Sequence, residues 1–162
     1  MDKSGVSDAD PSVVEEFQAA LKRQIRNLLL NRVNENGVFL YYAGIGIADM
    51  REVDWVDFTD QDDRKVRLAL DHQSHLPVRT VAVTPNQEMH DEDEDVTIYS
   101  NYEPLQGVQT AMQITREHNG RRTHQIFYTS CTNAPNLPGD FFTEESLQKK
   151  FKDTGGKVKA QK

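Results

Sequence analysis

From Gly37 to Cys131 the chain repeats one pattern: short runs rich in β-branched and aromatic residues, broken by clusters of Asn, Asp, Gln, Gly and Pro. Extended runs punctuated by turn chemistry predict about seven strands. The runs are "VFLYYAGIGI" (38–47), "VDWVDF" (53–58), "KVRLAL" (65–70), "PVRTVAV" (77–83), "VTIYSNY" (96–102), "GVQTAMQIT" (107–115) and "RTHQIFYTSC" (122–131). Such short links favour an antiparallel meander, because parallel strands need long crossovers. In the third run Val66, Leu68 and Leu70 alternate with Lys65 and Arg67, so one face there meets water. Gly44 and Gly46 mark a bulge or bend in the first run.

Ahead of the strands the period changes. "DPSVVEEFQAALKRQIRNLLLNR" places Pro11 in a first helical turn and Ser12 three residues before Glu15, the capping-box spacing. Val14, Phe17, Leu21, Ile25 and Leu28 recur at three- and four-residue steps, forming one apolar stripe that needs a partner surface. "NENG" (34–37) stops this helix. At the other end, the prolines of "NAPNLPGDFFTEES" end the sheet, and Phe141 and Phe142 are expected to tie this segment to the core. The expected organisation is a disordered 1–9, one domain over 10–143, and a charged tail over 144–162 that is partly helical or disordered.

Composition excludes several classes. A net charge of −7 opposes general binding to nucleic acid, which requires a clustered positive surface. No apolar run approaches the ~18 residues of a membrane span. Cys131 stands alone, so neither an internal disulfide nor a multi-cysteine metal cage holds the fold; it reads as a small buried apolar residue. The start "MDKSGVSDADPS" has no signal-peptide core.

Three segments carry a resemblance. "RKVRLALDHQSHLPVRT" has a strand, an Asp-containing turn, Leu-Pro and a strand; "IYSNYEPLQGVQTAMQITREHNGRRTHQIFYTSC" has a Tyr-Ser-x-Tyr, Gly-Val, strand, Asn-Gly, strand succession; and "NAPNLPGDFFT" closes with Asn133, Leu137 and, five residues on, Phe142. Over roughly Val38 to Thr143 this resembles the C-terminal part of the outer-membrane lipoprotein carrier superfamily, the LolA/LolB-like lipoprotein-sorting proteins. The resemblance implies an α+β fold: an N-terminal amphipathic helix packed on a strongly curved antiparallel sheet of about seven strands, an incomplete barrel whose concave face receives acyl chains. It also implies a periplasmic or cell-envelope setting. The chain departs from the pattern at Thr110, Ala111 and Met112, where the superfamily usually has Pro and an aromatic. A carrier also has a further N-terminal half with several strands, so this chain reads as a piece of a longer exported precursor or a reduced relative. Either way an exposed strand edge results, open to a second copy.

Polar candidates are weighed against ordinary loop roles. Asp71, His72 and His75 could ligate zinc, but three ligands from one turn do not make a tetrahedron, and a hairpin in which Asp71 or Ser74 caps backbone amides fits better. Glu88, Asp91, Glu92, Asp93, Glu94 and Asp95 read as a solvated acidic hairpin tip lacking EF-hand spacing. "GIGIAD" lacks the third glycine of a phosphate loop. Cys131 and His124, seven apart in a strand, point to opposite faces and cannot pair for nucleophilic catalysis.

The remaining constellation is apolar. Phe39, Tyr41, Trp55, Phe58, Leu68, Val81, Ile98, Met112, Ile114, Ile126 and Tyr128 are candidates for lining a cavity for acyl chains, beside their plainer role as core. The function expected is non-enzymatic binding or carriage of a lipidated or apolar ligand, with no cofactor or metal. Expected partners are lipid or lipoprotein acyl chains and a second copy across the sheet edge. The alternative is a protein-interaction or assembly domain of the same fold that uses the helix and the edge.

Overall fold

The computed structural model describes residues 7–61, 64–86, 90–132 and 136–153, with side chains up to residue 150. The chain divides into two compact units, one of residues 19–133 and one of residues 1–18 with 134–162. The larger unit holds seven strands in chain order: β1 (Phe39–Ala48), β2 (Arg51–Thr59), β3 (Lys65–Asp71), β4 (Pro77–Asn86), β5 (Asp91–Leu105), β6 (Val108–His118) and β7 (Arg121–Phe127). Each pairs antiparallel with its neighbours in sequence, and β1 and β7 are the two edges of an open sheet. The α+β meander expected from the turn spacing is the fold found.

Several turns depend on left-handed backbone. Asn119–Gly120 and Gln106–Gly107 link their strands with positive φ at both residues, the two-residue hairpin geometry that matches strand twist. Asp49–Met50 does the same without a glycine, at φ 49° and 62°, and Met50 is 97% exposed. No sequence signal marked this turn.

The single expected helix is two. Gln24 takes an extended conformation (ψ 132°) between α1 (Pro11–Arg23) and α2 (Ile25–Leu30), which a 3₁₀ turn at Arg32–Asn34 follows. The Leu21 carbonyl exposed by the break accepts bonds from the Gln24 N–H (3.2 Å) and the Asn27 side-chain amide (3.1 Å). The apolar stripe is divided accordingly. Ile25 and Leu28 reach the sheet, whereas no residue of α1 is buried and Phe17 is 63% exposed. At the start of α1 the cap is Asp10, not Ser12: Asp10 Oδ1 accepts the Ser12 N–H at 2.9 Å and its hydroxyl at 2.6 Å.

Cross-strand register assigns the two faces. Leu40, Val56, Phe58, Val66, Leu68 and Ala82 share the face that α2 covers, and Leu28, fully buried, packs against Phe58, Val66, Leu68 and Ala82. Burying a leucine of this kind contributes about 1.5–3 kcal/mol. Tyr99 is buried on the same face, its hydroxyl near the Thr80 and Thr97 side chains and the Ile25 backbone. The opposite face holds a smaller cluster of Ala48, Val53, Ala69 and Val78, with Trp55 packed on it. Val78 joins that cluster where the β3–β4 register slips beside Leu70.

A buried ion network joins the 3₁₀ turn to the β2–β3 connection. Arg32 donates to Asp60 at 2.8 Å and to Glu35 at 3.0 Å, while Arg64 donates to Asp60 at 2.9 Å. Arg32 also lies over the Phe58 ring, 5.4 Å from its centroid. Burial alone would raise the Asp60 pKa, but the bonds from Arg32 and Arg64 outweigh it and hold the carboxyl at about 2.

In the smaller unit, α3 (Glu144–Asp153) makes part of the charged tail helical. Phe141 and Phe142 meet edge-to-face at 4.9 Å, and Lys150 stands over Phe141. Phe142 is nonetheless 79% exposed, contrary to the expectation of a buried anchor. Cys131 also departs from expectation: β7 ends at Phe127, so the thiol falls beyond the sheet and is exposed.

Candidate functional site

The eleven apolar candidates do not share a surface, because the pleat separates them. Phe58, Leu68, Met112, Ile114 and Ile126 lie on the helix face by register, with Tyr128 just beyond β7 and its N–H bonded to the Met112 carbonyl at 2.8 Å. Phe39, Tyr41, Trp55, Val81 and Ile98 lie on the other face. Phe58 and Leu68 are occupied by Leu28. Trp55 is occupied too, close against Gly46 and under the Arg67 guanidinium, which is held by Asp57 at 2.6 and 2.8 Å.

Besides the exposed Phe39 and Tyr41, an open apolar surface lies on the helix face that the sequence candidates missed. Leu40, Tyr42, Ile45 and Ile47 form an exposed row on the helix face of β1, Ile47 at 77%. A β-bulge at Ala43 keeps them together: it adds one residue, so Tyr42 and Ile45 emerge on the same side although they are three apart. The signal was present in the run "LYYAGIGI", but without the register its two faces cannot be told apart.

Two polar sites accompany this row, the first of them touching it through Tyr42. In the loop that closes β3 onto β4, Asp71 Oδ1 accepts the Ser74 N–H at 2.8 Å, the Gln73 N–H at 3.2 Å and the Ser74 hydroxyl at 2.8 Å, which is the capping role. His72 pairs elsewhere, with its Nδ1 3.0 Å from Asp54 Oδ2, while the Tyr42 hydroxyl donates to Asp54 Oδ1 at 3.0 Å. Burial opposes ionisation of Asp54, but these two bonds outweigh it and hold the carboxyl below its usual range.

The second polar site replaces the expected acidic loop. Asp91 to Asp95 belong to β5 and pair with β4, and Glu88 lies outside the described residues. Neighbours compensate the charge: Asp93 accepts from the Asn86 and Asn119 amides at 2.9 and 2.8 Å, and Asp95 meets His118 at 2.9 Å and Arg23 at 3.7 Å. The Asp95 bond raises the His118 pKa. The open groove here, about 580 Å³, is lined by Asn86, Asp91, Glu92, Asp93, His118 and Asn119, a polar wall unsuited to acyl chains. Among the described residues no three His, Cys, Asp or Glu side chains converge as a metal site. No helix among them is long and apolar enough to cross a membrane.

The elements define an α+β fold, an open seven-stranded antiparallel meander with a short helix packed on one face. A solved outer membrane lipoprotein-sorting protein domain from Vibrio parahaemolyticus superposes with a TM-score of 0.54 at 10% identity, covering 69% of this chain and 48% of that one. The chain therefore spans about half the length of that structure, and the likeness is one of fold. No protein-family description and no curated protein matches the sequence.

Proposed function

We propose that this chain binds a lipidated or otherwise apolar ligand by burial, without catalysis, in the bacterial cell envelope. The observation that supports this reading is the open row Leu40, Tyr42, Ile45 and Ile47, continuous on one face with the core that α2 covers. Each methylene buried there contributes about 0.8 kcal/mol, so an acyl chain laid along the row gains in proportion to the length it buries. Met112, Ile114, Ile126 and Tyr128 extend the same side toward β7 and are the proposed lining residues among the original candidates. The lipoprotein-sorting fold is consistent with such a role.

The test is displacement of a fluorescent fatty acid, together with native mass spectrometry of the purified chain. Ile45→Asp should weaken binding at least tenfold, while Val81→Asp, on the other face, should leave it within about twofold. Absence of binding, or equal effects of the two substitutions, would refute the proposal. The second reading, an assembly domain, is favoured by one observation: β1 is an edge strand without a charged residue.

A further inference from the structure

We infer that β1 is the seam of a homodimer, in which β1 of one copy pairs antiparallel with β1 of another to make a continuous fourteen-stranded sheet. Edge strands of soluble proteins normally carry charges, prolines or strong irregularities that deter pairing. The two edges of this sheet differ sharply in charge, although β1 carries one bulge. β7 reads "RRTHQIF", with Arg121, Arg122 and His124 along it, whereas β1 reads "FLYYAGIGIA", ten residues without charge or proline. Moreover, β1 is apolar on both faces: Phe39 (70% exposed) and Tyr41 on one, Leu40, Tyr42, Ile45 and Ile47 on the other. That profile belongs to an interior strand covered on both sides.

The occupant is a strand, because what the edge offers besides apolar side chains is a row of backbone donors and acceptors. A second copy fits on charge. Each chain carries −7, but the seam itself is neutral: β1 has no charge, Asp54 and Asp57 of the neighbouring β2 are held by His72 and Arg67, and the carboxylates of β5 lie three strands away. It also fits on backbone. An uncharged edge of ten residues presents its open donors and acceptors to an identical strand, and Phe39 and Tyr41, both mostly exposed, gain cross-strand neighbours on pairing. The bulge at Ala43 divides the seam into two pairing runs, Phe39 to Tyr42 and Gly44 to Ala48. A two-fold axis normal to the sheet keeps equivalent faces on the same side. The two Leu40 to Ile47 rows then lie side by side.

The experiment is sedimentation equilibrium of the full chain from 1 to 200 μM, with hydrogen exchange at both extremes. The expected mass is twice 18.5 kDa at the upper end, and alternate amides of Phe39 to Ala48 should be protected there and exchange at least tenfold faster on dilution. The double variant Phe39→Lys with Tyr41→Lys, on the face away from the lipid-binding row, should be monomeric throughout and keep its fatty-acid binding. A monomer at 200 μM overturns the proposal, as does an oligomer whose β1 amides exchange independently of concentration. Because exchange is read on the unmodified chain, a variant that fails to fold does not shelter the proposal. Fatty-acid binding is scored separately, so each reading can fail alone.

Discussion

Trp55 lies across Gly46, so that a Cβ on that glycine would stand 2.5 Å from the indole Nε1. The pair couples β1 to β2 through a close approach that only glycine permits, and the Arg67 guanidinium stands over the same ring. Gly46→Ala should cost about 1–3 kcal/mol, the usual penalty of overpacking. Urea unfolding followed by the single tryptophan reads both the loss and the altered ring environment.

Asp60 and Arg32 make a second prediction. With its partner removed, a buried charge costs about 3–5 kcal/mol, so Arg32→Ala should lower stability by that amount at pH 7. The folded pKa of Asp60 is depressed to about 2, so its contribution of about 2 kcal/mol is complete above the unfolded value near 4 and is lost as pH falls through about 2. Urea midpoints of wild type and Asp60→Asn, compared from pH 7 to pH 2, should converge at the acid end.

His118 behaves in the opposite sense. Its folded pKa is raised by Asp95, so the ion pair is fully present below the unfolded value near 6.5 and is lost as pH rises through the folded value. In an NMR titration its ring should titrate above 6.5. Asp95→Asn should bring the midpoint down.

The break at Gln24 predicts unequal roles for two residues of one apolar stripe. Leu28→Ala removes a fully buried side chain and should cost about 2–5 kcal/mol. Phe17→Ala, at an exposed position, should change stability by no more than about 0.5 kcal/mol. Thermal unfolding of the two variants tests this directly.

Those two residues also show where the sequence is readable and where it is not. The three- and four-residue spacing runs unbroken from Val14 to Leu28, because periodicity records amphipathicity and says nothing of one residue adopting extended ψ. The strands were legible from their alternation and from turn residues such as Asn119–Gly120, but Asp49–Met50 carries no turn signature and β2 begins directly after it. Asp91 to Asp95 look like a loop because their compensation comes from Arg23, His118 and Asn119, remote in sequence. The apolar site is the hardest case. Tyr41 and Tyr42 are adjacent and alike, and only pairing with Asp57 and Val56 reveals that they face opposite ways.

The chain-order sheet has a consequence for how the protein is made. Each strand bonds only to the strands before and after it, so every hairpin closes across a short stretch of chain at small entropic cost. Ordering by local closure of this kind favours fast folding for a β-sheet. Strands emerging during synthesis can zip up one at a time, β1 against β2 first, without waiting for the C-terminus.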